Sequence, residues 1–122
     1  PHTPLLTSMK ILSNYATVLR QLDRLEEALD WYSLCLSINP RDAGLHANIG
    51  FTLHLSGRFS EAISEYHNSL ALQHSPFCAD MLTRAMKDFV SYASVEDMVG
   101  FDVSGEEGAS HLDFGDATTE TV

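Results

Sequence analysis

Apolar side chains recur at three- and four-residue steps through the first three quarters of the chain: Leu12, Tyr15, Ala16, Leu19 and Leu22, then Leu25, Ala28, Leu29, Tyr32, Cys35 and Leu36. An α-helix turns once in about 3.6 residues, so this spacing gathers the apolar groups on one face. It predicts helices over about residues 5–22, 24–38, 43–56, 60–73 and 76–93. The punctuation agrees. Pro40, after Asn39, cannot continue the second helix, and Asp23 and Gly57 stand where a tight turn takes a left-handed backbone. Asp42 and Ser60 are placed to cap the third and fourth helices, and Ser75 to cap a fifth that opens on Pro76.

The pattern also copies itself. Residues 9–42 laid over 43–76, an offset of 34, match Asn14 with Asn48, Arg24 with Arg58, Glu27 with Glu61, Ala28 with Ala62, Tyr32 with Tyr66 and Leu36 with Leu70. Conservative pairs follow the same register, among them Leu19 with Leu53 and Leu25 with Phe59. Small residues at the eighth and twentieth positions (Ala16 and Ala28, then Gly50 and Ala62) let two helices approach closely, with Tyr32 or Tyr66 packed beside them. A period of 34 with these residues resembles the tetratricopeptide repeat, a helix-turn-helix unit. The resemblance implies an all-α solenoid: one repeat over 5–42, a second over 43–75, and a capping helix over 76–93. The fifth helix lacks the signature, because Thr83 and Arg84 stand where an apolar and a small residue belong. Pro1 either follows a removed initiator Met or is the cut edge of a longer protein, and the expectation that such an array needs about three repeats favours the cut edge.

Charge changes the picture only at one end. The net charge is −10, yet residues 1–93 hold nine of the 17 acids and all seven Lys and Arg, while 94–122 hold eight acids and no Lys or Arg. The last segment also carries four of the seven glycines, a composition that predicts a disordered acidic tail. Two short apolar islands, Met98–Phe101 and Leu112–Phe114, are docking motifs or stray apolar residues within it. No basic stripe suits a phosphate backbone, so nucleic acid is disfavoured as a partner. No apolar run approaches the roughly 18 residues of a membrane span, and no basic-then-apolar leader opens the chain. Cys35 and Cys78 lie within helical patterns and define no disulfide framework, which suits a reducing, intracellular setting.

Catalytic chemistry is hard to find. His46 and His54 lie eight apart on one helix, His67 and His74 seven apart on the next region. Neither spacing makes a zinc site, and surface or groove histidines are the simpler reading. Nucleophile elbows, phosphate loops and HExxH helices are absent from the sequence. No enzyme activity, metal or cofactor is therefore expected. Ser75-Pro76 and Thr3-Pro4 have the form of proline-directed phosphorylation sites, and Ser104 precedes two acids after a glycine; for Ser75 the cap role suffices.

Binding is the expected activity. The first helix of each repeat lines the concave face of such arrays. Asn14 and Asn48 share the sixth position there, and an Asn amide both donates and accepts, as needed to hold an extended peptide backbone. Lys10, Thr17, Arg20 and Gln21 in the first copy and His54 in the second are expected to face the same groove. An Asn that holds its own helix is the equal alternative. The family's carboxylate clamp for chaperone tails is missing, since Ser13 and Thr17 stand at its Lys and Asn positions. Trp31 is expected to meet a preceding repeat or to plug against its neighbour.

The runs Leu12–Ala16, Leu25–Tyr32, Asn48–Phe51 and Tyr66–Leu72, with Phe77 and Met81-Leu82 on a closing helix, further resemble the C-terminal repeats of the cell division cycle protein sixteen family. Its members are scaffold subunits of the anaphase-promoting complex, a ubiquitin ligase. That resemblance, over about residues 5–93, implies a nuclear and cytoplasmic scaffold that seats other protein subunits, one of them through an N-terminal segment threaded along the groove. The competing readings are a stand-alone peptide-binding adaptor and the repeat region of a sugar transferase that uses an Asn ladder.

Overall fold

The computed structural model describes residues 4–104, which form α1 (Pro4–Gln21), α2 (Leu25–Ile38), α3 (Ala43–Leu55), α4 (Phe59–Leu72) and α5 (Pro76–Ser104). No strand occurs among the described residues. The described residues divide into two units between Ala85 and Met86, with α5 contributing to both. Within the first unit α1 packs on α2, α2 on α3 and α3 on α4, the order of a helical-hairpin array.

Each hairpin closes in the same way. Arg24 N–H donates to Leu19 O at 2.9 Å and Asp23 N–H to Arg20 O at 2.9 Å; the second copy repeats this with Arg58 to Leu53 at 2.9 Å and Gly57 to His54 at 3.0 Å. This pair of bonds satisfies the carbonyls that a helix end leaves open, and it requires a left-handed residue between. Asp23 has φ 64° and Gly57 φ 79°, the expected positions. Asp42 accepts from Leu45 N–H at 3.1 Å and Ser75 Oγ from Cys78 N–H at 3.2 Å, so both caps form as read.

Ser60 does not cap. α4 begins one residue earlier, at Phe59, with Arg58 at the cap position and no side-chain cap bond, as Arg24 stands before α2. In its place each Arg grips the Glu three residues on with two N–H groups: Arg24 to Glu27 at 2.6 and 2.9 Å, Arg58 to Glu61 at 2.8 and 3.0 Å. The hydrogen bonds from Arg hold Glu27 and Glu61 below their usual range, and a carboxylate in the first turn also suits the helix dipole. Arg58 reaches Glu26 as well, at 3.4 Å, linking the start of one repeat's second helix to the next.

The core is the predicted one at the repeat positions. Ala16, Ala28, Tyr32, Gly50, Ala62 and Tyr66 are all buried, with Leu19, Leu29, Ile49 and Leu53 around them. Gly50 marks the closest approach: a Cβ there would stand 2.9 Å from Cε1 of Tyr66. A further tie had no place in the sequence reading. Ser69 Oγ donates to Ala43 O at 2.8 Å, and Cys35 Sγ, its counterpart in the first copy, to Met9 O at 3.7 Å. Each bond staples the last turn of a second helix to the first helix of its repeat.

Two expectations change. Tyr15 and Leu22 are exposed rather than core, and at Tyr15 α2 supplies the edge contact of Trp31 without burying the ring. Trp31 sets its ring edge-on to Tyr15 within the first hairpin, centroids 5.5 Å apart. The fifth helix does not stop at Ala93 but runs eleven residues further, to Ser104. Residues 94–99 contain no proline or glycine, and a lone Gly100 costs a helix only about 1 kcal/mol. The island at 98–101 thus lies in a helix, whereas the acidic stretch 105–122, the island at 112–114 and Thr3 lie outside the described residues.

Candidate functional site

The first hairpin satisfies its buried tyrosine. Tyr32 OH and Thr17 Oγ1 are 2.6 Å apart, and Thr17 donates onward to Ser13 O at 3.0 Å, so the proton between the two hydroxyls comes from Tyr32. The second hairpin does not. Thr17 corresponds to Phe51, whose side chain has no polar atom, and the buried Tyr66 OH lacks a hydrogen-bond partner among the described residues. Burial pushes the Tyr66 phenol far above its ordinary value, with Arg20 opposing the rise, so it stays a protonated donor.

Beside it is a cavity of about 450 Å³, within the size range of ligand pockets. Its walls come from four helices. α1 contributes Arg20, α3 Asn48 and Phe51, α4 Tyr66, and α5 Phe77, Met81 and Arg84. The Arg20 guanidinium lies over the Phe51 ring at 4.8 Å, a cation–π contact, and its Nε is buried without an acceptor. Arg84 is exposed and pairs with Asp80, one turn back, at 3.0 Å. The wall is thus mostly apolar, with its polar groups chiefly donors.

The residues read as groove-lining fall into separate places. Arg20 and Asn48 meet at this cavity. Lys10 lies with Ser13 at a second, smaller one of about 300 Å³, walled also by Met9, Asp42 and Leu45. Asn14 and Gln21 are exposed and line neither. Thr17 has its hydroxyl engaged inside the first hairpin, and His54 sits edge-on to Phe59 and Tyr66, centroids 5.7 and 6.5 Å away. Phe51, Phe77 and Arg84 were not singled out for this site. The substitution of Phe51 for Thr17 was visible in the register; that it orphans a hydroxyl is visible only in three dimensions.

His46 is a structural tie. Its Nδ1 is 2.7 Å from Glu65 Oε1 and its Nε2 2.9 Å from Pro40 O. Both acceptors are satisfied at once only by the imidazolium, which has an N–H on each nitrogen. Burial works against that charge, but the bonds to Glu65 and Pro40 outweigh it and hold the His46 pKa above its ordinary value. No group of three or more His, Cys, Asp or Glu side chains is placed to hold a metal ion among the described residues, and no helix there is long and apolar enough to cross a membrane.

No protein-family model matches the chain. Known proteins do. Anaphase-promoting complex subunit 6 of Dictyostelium discoideum is 38% identical over 73 residues, which is 60% of this chain and 8% of that protein. Cell division cycle protein 16 homologs of Homo sapiens and Mus musculus are each 29% identical over 94 residues, 76% of this chain and 15% of theirs. The chain therefore spans a small fraction of the length of these relatives. In its helical order and its paired small residues the chain is an all-α array of tetratricopeptide-like helical hairpins, and in sequence it is similar to anaphase-promoting complex subunit 6 and cell division cycle protein 16 homologs.

Proposed function

We propose that the chain is part of a scaffold subunit of an anaphase-promoting complex, seating other protein subunits in ubiquitin-dependent cell-cycle proteolysis and performing no chemistry itself. The nucleus and cytoplasm are its place of work. Residues 5–42 and 43–75 act as successive repeats, 76–93 as their cap, and the acidic segment beyond 94 as an appendage. The observation that carries this reading is the outer face of α1, where Ile11, Tyr15, Val18 and Leu22 are exposed in a row. On α3 the corresponding face receives α2, so the row on α1 suits the second helix of a neighbouring repeat upstream. The partners are proteins: flanking repeats on that face, and a subunit's extended peptide along Asn14, Asn48, Lys10, Thr17, Arg20, Gln21 and His54.

Affinity purification of the tagged chain from dividing cells, with the bound subunits identified by mass spectrometry, tests the reading. Recovery of anaphase-promoting-complex subunits is expected. A folded chain that recovers none of them, or only assorted extended peptides, overturns it. Asn14→Ala with Asn48→Ala is expected to weaken peptide binding and leave the melting temperature nearly unchanged; loss of folding assigns those amides to structure instead.

A further inference from the structure

We infer that the 450 Å³ cavity recognises an acidic side chain, Asp or Glu, next to an apolar residue in a bound peptide. The inference rests on the groove reading above and adds the identity of what the groove selects. Two donors at this cavity, Arg20 Nε and Tyr66 OH, are buried without acceptors, and Tyr66 is only 1% exposed. Leaving such donors unmatched is costly, which sets a premium on a ligand that brings acceptors. Among the described residues no carboxylate lines the cavity, and its charged wall residues there are Arg20 and Arg84, the latter partly offset by Asp80. A carboxylate offers several acceptor sites and binds guanidinium through charge-assisted bonds. Phe51, Phe77 and Met81 supply the apolar wall for the neighbouring residue, and Phe77, although apolar, is exposed at its edge. These residues differ from those of the chaperone-tail clamp, whose positions here hold Ser13 and Thr17.

The test uses the full chain and three labelled peptides in fluorescence polarisation. One, capped at both ends, carries a single Glu between two Leu in an Ala/Ser background; the second carries Gln in its place; the third is the Gln peptide with a free C-terminal acid. The Glu peptide is expected to bind at least roughly tenfold more tightly than the Gln peptide, the scale of a charge-assisted hydrogen bond. Arg20→Gln is expected to erase that ratio, Tyr66→Phe to reduce it several-fold at an unchanged or higher melting temperature, and the exposed Arg84→Gln to reduce it without touching the fold. Equal binding of Glu and Gln peptides, or binding of neither, overturns the inference. Tighter binding of the free-acid peptide than of the Glu peptide overturns the side-chain assignment. Asn14→Ala separates this from the groove reading: it should weaken all three peptides alike and preserve the ratio. A preserved ratio with no effect of Asn14→Ala means that the groove reading has failed and the pocket stands.

Discussion

α1 and α3 hold the same place in successive copies of one pattern, yet the same face is bare on one and sealed on the other. Ile11, Tyr15 and Val18 are 62, 46 and 48% exposed; their counterparts Leu45, Ile49 and Thr52 are 4, 6 and 0% exposed. The residues are of comparable hydrophobicity except Thr52. The difference lies in the neighbour, since α2 packs on α3 and no helix of the described residues takes the equivalent place on α1. In a stacked-hairpin array, burial belongs to the interface between repeats more than to either repeat alone. The buried tyrosines teach the complementary lesson. Tyr32 and Tyr66 match in residue, position and burial, and a single change fifteen residues upstream, Thr17 to Phe51, leaves one bonded and the other an orphan donor.

The sharpest way to break the first contrast is truncation on both sides of it. Leu45→Ala is expected to cost about 2–4 kcal/mol through lost transfer and a cavity, whereas Ile11→Ala, at the matching exposed site, should cost under about 1 kcal/mol. Equal losses in chemical denaturation would mean that α1 is covered after all. Close approach within a hairpin comes next. Ala62→Leu should cost about 1–3 kcal/mol by overpacking. Gly50→Ala sets a methyl against the Tyr66 ring, and the gain in helix propensity, about 1 kcal/mol, offsets part of an overpacking strain of about 1–3 kcal/mol. Thermal melts that show no loss for Ala62→Leu would refute the register.

The tyrosine contrast predicts opposite signs. Tyr32→Phe should cost about 1 kcal/mol for its hydrogen bond, while Tyr66→Phe removes an unmatched hydroxyl and should be neutral or stabilising in the same melts. A loss at Tyr66 equal to that at Tyr32 would reveal a partner for its hydroxyl. The smallest effect distinguishes the hairpins by pH, because His46 ties α3 to α4 and its counterpart in the first copy is Leu12. Its folded pKa is raised, so its stabilisation is fully present below the ordinary value of 6.5 and fades as pH rises through the folded pKa. Melting temperatures measured between about pH 5.5 and 8 should fall more for the native chain than for His46→Gln; parallel curves would remove the tie.

Much of the fold was legible because it is local. The apolar period, Asp23 and Gly57 at the turns, and Asp42 and Ser75 before their helices placed four of five helices to within about two residues. Ser60 misled because serine is a common cap, and nothing local reveals that α4 starts one residue earlier, with Arg58 at the cap position and its guanidinium on Glu61. The end of α5 was missed because acidity and glycine argue for disorder, while helix hydrogen bonds ask only for residues that tolerate the geometry. At the site, Arg20 and Asn48 were legible as outward-facing positions on first helices. Phe51, Phe77 and Arg84 were not, since a cavity wall assembled from four helices has no linear period to read.

The two cysteines sit at opposite ends of the same packing order. Cys35 directs its sulfur hydrogen to Met9 O in α1, Cys78 directs its own to Tyr66 O in α4 at 3.8 Å, and burial, with help from Asp42, pushes the Cys35 thiol up. A thiol reacts as its thiolate and only when reached. Alkylation of Cys35 consequently waits for α2 to lift from α1, and alkylation of Cys78 for α5 to lift from α4. The molecule carries its own pair of stopwatches, one timing the opening of each end.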